Sequence, residues 1–185
     1  MYKWLCTAVL LMFAGTTSVI AQEFEEKVLD KHGYPLDDPR YEDIRGWLDA
    51  EERGLALYRA ESYQDAYPAL AEAARHGFKR AQHNIALMHI NGHGVEKNPL
   101  VGVALLGLAA ENGDRRLKSD YEKGIKALPK KFHELIREQT KYYIARYGME
   151  AQGVSCRKVK RPGSNMKETR CVKQPGEYEV WDWTP

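Results

Sequence analysis

The chain has 185 residues, 43% of them hydrophobic and 10% aromatic, with 28 Lys and Arg against 26 Asp and Glu. That length suits one domain and that apolar share suits a folded core, which excludes a wholly disordered chain and a polytopic membrane protein. A net charge of +2 is far below the excess of base that a phosphate-tracking nucleic-acid binder carries.

In chain order, the first feature is an address. Lys3 precedes a nearly unbroken apolar run over residues 5–14, and Val19-Ile20-Ala21 offers small or branched residues to a signal peptidase. The run falls short of the ~20 residues that span a bilayer, so residues 1–21 are expected to be a signal peptide rather than an anchor. Cys6 lies inside that leader, too early for a lipoprotein. The mature chain is expected to begin near Gln22 in the periplasm or outside the cell. Residues 22–40 then read as an acidic, irregular arm holding Pro35 and Pro39, and a helix is expected from about Tyr41 to Arg59.

Self-similarity follows. Ala73-Ala74-Arg75-His76-Gly77 returns thirty-six positions later as Ala109-Ala110-Glu111-Asn112-Gly113, Leu70 maps onto Leu106 at that offset, and Ala56-Leu57 maps onto Ala86-Leu87 at thirty. Each unit reads as a helical hairpin. Ala81, Ile85 and Met88 recur at i, i+4, i+7 on one helical face, and the glycines from Gly92 stop that helix. Asn98-Pro99 opens the next, with Asn98 as cap and Pro99 where a missing donor costs nothing. Gly113 is expected to close it in the left-handed conformation, and Asp114 to cap the helix after it. One hairpin cannot bury its own apolar face, so stacking is required.

Ala81-Gln82, Ile85-Ala86, His89, Gly92-His93-Gly94-Val95 and the closing Ala109-Ala110-Glu111-Asn112-Gly113 together resemble the Sel-one-like repeat, a relative of the tetratricopeptide hairpin. Gly54, Leu57, Tyr58, Tyr63, Ala66 and Leu70 resemble its shortened first unit. Ala86, His89, Gly102 and Leu105 depart from the residues usual there, which are glycine, tyrosine, alanine and tryptophan. The resemblance implies an all-α fold over residues 41–148, a short α-solenoid that scaffolds other proteins in exported bacterial members and is no enzyme. Beyond Asp114, residues 115–127 are expected to form one helix, Leu128-Pro129 to break it, and Phe132, Leu135, Ile136, Tyr143 and Tyr147 to mark the apolar side of a last helix ending at Gly148.

Residues 149–185 lose the helical period. With the leader gone, Cys156 and Cys171 are an even pair in a compartment where disulfides persist, and they are expected to bond to each other. The closed loop is of a size worth roughly 3 kcal/mol in the chain-entropy account. A reactive redox pair would instead want Cys-x-x-Cys at a helix start. Pro162-Gly163-Ser164-Asn165 centres a turn between the cysteines, giving a hairpin with Cys156 opposite Cys171. That register sets Arg157 against Arg170 and Lys160 against Lys167, a repulsion that a bulge, the front acids or an anionic partner must relieve. Alternation in Tyr178-Glu179-Val180-Trp181-Asp182-Trp183 suggests a third strand.

Charge is uneven along the chain. Residues 22–55 hold eleven acids against five bases, whereas residues 156–173 hold seven bases and one acid, Glu168. Opposite ends can pair within the molecule or steer partners.

No catalytic, cofactor or metal residue is expected. His83, His89 and His93 invite a zinc reading, but the turn at Gly92 breaks the spacing that three converging ligands need. Ser155 and Ser164 sit in no nucleophile elbow, and an acidic run is ordinarily a solvated surface. The expected function is recognition of a protein or peptide in the groove of stacked first helices, through Gln82, His83 and His89. Arg157, Lys158, Lys160 and Arg170 of the hairpin form a second candidate surface. A cell-envelope hydrolase, or a binder of an anionic envelope ligand through the hairpin, is the alternative. Trp181 and Trp183 are expected to cover the end of the helical stack.

Overall fold

The computed structural model describes residues 29–179 and 181–183, so the expected leader lies outside the described residues. Among these residues six α-helices are followed by a two-stranded hairpin: α1 (Glu42–Arg59), α2 (Tyr63–Arg75), α3 (Lys79–Asn91), α4 (Pro99–Ala110), α5 (Arg115–Ala127), α6 (His133–Tyr147), β1 (Val154–Lys160) and β2 (Lys167–Lys173). None of these helices is long and apolar enough to cross a membrane.

Local signals set most boundaries. The Asn98 side chain accepts from Val101 N at 3.2 Å with Pro99 in the first turn, and Asp114 accepts from Arg116 N at 2.9 Å. Gly92 and Gly113 take φ of 79° and 75°, closing α3 and α4 as expected. Consecutive helices pack on one another, α1 on α2, α2 on α3 and α3 on α4, and α4 is also covered by α5 and α6. Because α4 carries no charged side chain, it can be buried all round from Gly102 to Ala110. Ala81, Ile85 and Met88 face this core, as do Ala66, Leu70 and Ala73 of α2.

On α6 the inward face is Ile136, Thr140, Tyr143 and Tyr147. Leu135, expected on that face, is instead 55% exposed, because it lies one residue, about 100°, off the stripe that Ile136 begins.

The hairpin has the expected register, Cys156↔Cys171, Arg157↔Arg170 and Lys160↔Lys167, and Cys156 and Cys171 are disulfide-bonded. Strand alternation places Arg161, Glu168 and Arg170 on one face, where Glu168 accepts from both arginines at 3.3 and 3.1 Å. The Arg157–Arg170 repulsion is thus eased inside the hairpin, with no bulge in the ladder, whereas Lys160 and Lys167 face each other on the opposite side.

The third strand is not formed by the described residues of the 178–183 stretch. The rings turn to the helices instead. Trp183 packs on Tyr147 with centroids 4.8 Å apart, the Arg146 guanidinium lies over Trp181, and Tyr147 Oη donates to Asp182 O. Packing the two indoles toward α6 outweighs a third strand whose other face would stay in water.

Candidate functional site

A cleft of about 1070 Å³ lies between the helices and the hairpin. One wall is built from α1 (Leu48, Glu51, Leu55), from the start of α3 (Lys79, Arg80, His83) and from the start of α5 (Arg116, Leu117). The opposite wall is β2, from Lys167 to Lys173. The hairpin thus forms the side of this concavity that faces α1, α3 and α5.

A buried polar cluster fixes the helical wall. Lys79 Nζ donates to Glu111 Oε2 at 2.9 Å and to Gln82 Oε1 at 3.0 Å, and Glu111 Oε2 also accepts from Met149 N at 2.8 Å. Burial lowers the Lys79 ammonium while the Glu111 carboxylate pulls the other way. Above it, Glu51 Oε1 accepts from Ala81 N at 3.1 Å and lies near Arg80, and burial pushes its carboxyl up.

The hairpin is anchored at its root. Lys173 N donates to Tyr34 Oη at 3.0 Å, and that hydroxyl donates to Lys173 O at 3.3 Å. Lys173 Nζ donates to Gln152 O at 2.6 Å and lies over the rings of Trp47 and Tyr178. Among the described residues the acidic front meets the basic tail here, with no ion pair joining the front acids to the hairpin's bases.

The singled-out residues fall into three groups. Gln82 is fully buried, and its amide donates to Ala74 O at 2.9 Å and Tyr147 O at 2.8 Å, so it is turned to the core rather than to the cleft. His83 stands on the cleft wall with Nε2 3.2 Å from Asp120 Oδ2, and burial lowers its imidazole. His89 lies away from the cleft beside Tyr67, and His93 stacks on Tyr63 with centroids 4.3 Å apart. Arg170 lines the cleft, while Arg157, Lys158 and Lys160 are exposed on β1.

Sequence reasoning missed Glu51, Lys79 and Tyr34, which shape the cleft through partners that lie far away along the chain. It also missed His32, Asp49 and Glu52, whose ligand atoms lie within 4.8 Å of one another and could in principle hold a cation. The Lys31 ammonium sits 3.3 Å from Asp49 and against Glu52, supplying the positive charge there itself.

Comparison of the chain with protein-family models, with curated proteins and with solved structures finds no match.

Proposed function

We propose that the protein is an exported binding module that holds a protein or peptide segment in the cleft between the helices and β2, and that it does no covalent chemistry. The observation that carries this reading is the cleft itself: a 1070 Å³ concavity between α1, α3 and α5 on one side and the disulfide-pinned hairpin on the other. Such a preformed site loses little ordering entropy on association. Its walls mix apolar surface from Leu48, Leu55 and Phe78 with charged side chains, as recognition surfaces do.

The scaffold is a short α-solenoid of Sel-one-like hairpins on this reading. Support comes from the matching places of Ala73-Ala74 and Ala109-Ala110 in the last turns of α2 and α4, and from the positive φ of Gly77 and Gly113 just beyond. Export is supported by the leader pattern of residues 1–21 and by a disulfide of the kind that persists in oxidising compartments.

A photo-crosslinking residue placed at Asn84, on the cleft wall, is expected to trap a partner from an extract of the cell envelope. The same residue at Glu138, exposed on α6, is expected to trap none of it. Equal adducts at both positions would overturn the cleft as the binding site. The exposed Arg157, Lys158 and Lys160 favour a second reading, an anionic envelope ligand on the outer strand, which adducts at Lys158 alone would support.

A further inference from the structure

Among the described residues the hairpin has two strands, and each carries one edge with no neighbouring strand. Which groups of β2 point to that open edge follows from the ladder. Arg161 N donates to Met166 O and Gln174 N donates to Gly153 O, which makes these pairs hydrogen-bonded. Antiparallel bonding alternates, so Arg157↔Arg170 is bonded, whereas Cys156↔Cys171 and Lys158↔Thr169 are not. The 4.0 Å Cα separation of the cysteines fits the narrow, non-bonded kind of pair. The N–H and C=O of Thr169, Cys171 and Lys173 therefore point away from β1, on the side where Lys173 meets Tyr34, which lines the cleft with β2. At Lys173 the Tyr34 hydroxyl satisfies both groups. Thr169 and Cys171 have no backbone partner at that edge among the described residues.

Resting on the cleft reading above, we infer that an acidic peptide segment binds there in extended form, adding a third strand to the open edge of β2 at Thr169 and Cys171. Main-chain bonds to an open edge give affinity and the flanking side chains give selectivity. Eight Lys and Arg line the cleft against three Asp and Glu, so an acidic segment is matched and a basic one repelled. Strand alternation sets Lys167 on one face and Arg170 on the other, so acids on either side of the added strand meet a base. Those same bases keep a second copy off, because its β2 would set Lys and Arg against Lys and Arg. Tyr34 ends the accessible edge at Lys173, which confines pairing to the stretch before it.

The test uses the mature, disulfide-intact chain and a capped seven-residue peptide of alternating Glu and Val carrying a fluorophore. A second peptide has the same sequence but is N-methylated at two adjacent central residues, which blocks both of its edges without changing its charge. The first peptide is expected to bind and to slow hydrogen exchange at the Thr169 and Cys171 amides, but not at Lys158 on the outer edge of β1. Methylation is expected to weaken binding about tenfold, the loss of a pair of edge hydrogen bonds. Binding of both peptides within twofold of each other, or protection at Lys158 in place of Thr169, would overturn strand addition and leave the cleft reading standing. Failure of both peptides to bind would also overturn it, and the Asn84 crosslink then decides the cleft reading separately.

Discussion

Gln82 gains nothing from burial as a hydrophobe, yet it is wholly inside because its amide joins three elements. It ties the end of α2 at Ala74 O to the end of α6 at Tyr147 O, and its oxygen receives the Lys79 ammonium. Replacing it by leucine keeps the volume but removes a buried donor from the Ala74 and Tyr147 carbonyls and an acceptor from the buried Lys79 ammonium. A loss of about 2–5 kcal/mol follows, read as a lower denaturant midpoint at unchanged m. His76 makes the opposite choice and stays neutral. Its ring stacks on Trp47 at 3.7 Å, and burial, with the Lys173 and Arg75 charges behind it, holds it down at about 3, although Glu72 lies 3.6 Å away. Burial is the larger influence, because the ring is almost wholly covered while Glu72 is part-exposed. Between pH 6.5 and about 3 the unfolded chain holds a proton at this position that the folded chain lacks, so stability falls as pH falls through that window. His76→Phe keeps the stacking and should remove one proton's share of the slope, about 1.4 kcal/mol per pH unit, in acid unfolding curves. Burial lowers His83 and His89 too, so part of the slope survives the substitution.

At the scale of elements, contact between helices is governed by where side chains are missing. A Cβ on Gly54 would lie 3.0 Å from Leu70 N, and one on Gly102 2.7 Å from Ala86 O, so α1 meets α2 and α4 meets α3 nearly backbone to backbone. Gly102→Ala gains about 1 kcal/mol of helix propensity but must push α3 away, and a net loss of about 1–2 kcal/mol is expected in thermal unfolding. The same approach explains why glycine stands at position 102 and makes the small residues of α4 readable as packing surface. Periods and caps were legible for a related reason: Asn98, Pro99, Gly113 and Asp114 act on backbone within a turn of themselves. The hairpin register was legible because a turn cluster and two cysteines fix it from both ends. The 178–183 stretch misled, since alternating aromatics describe a strand equally well as a tail whose rings find α6. Gln82 misled because its partners lie 8 and 65 residues away, beyond any local pattern. Replacing both Cys156 and Cys171 by serine is expected to cost about 2–4 kcal/mol in the chain-entropy account, with a somewhat steeper denaturant slope because the unfolded chain is no longer crosslinked. It should also abolish the difference between the two probe peptides, because β2 then no longer holds its edge in place.

Over the whole molecule, the +2 net charge hides an acidic front and a basic tail that meet through the Tyr34 hydroxyl and the Trp47 ring rather than through ion pairs among the described residues. Cutting the chain after Gly148 would therefore remove more than the hairpin. It would uncover Trp47 and Tyr147 and take away the partners of Tyr34, so point substitutions are the cleaner probe of the tail. The three tryptophans among the described residues all stand at this seam: Trp47 under Lys173, Trp181 beneath Arg146 and Trp183 on Tyr147. Their fluorescence reports docking of the tail, whereas far-UV circular dichroism reports the helices. Tyr34→Phe deletes both bonds to the buried backbone of Lys173 and should cost about 1–3 kcal/mol. If arm, helices and hairpin unfold as one unit, the two signals share a midpoint in the native chain, and the substitution lowers both by the same amount. A fluorescence transition that moves below the helical one would show that the hairpin docks as a separate unit. The far wall of the cleft would then open without unfolding the near one, and the site would be adjustable in width rather than preformed.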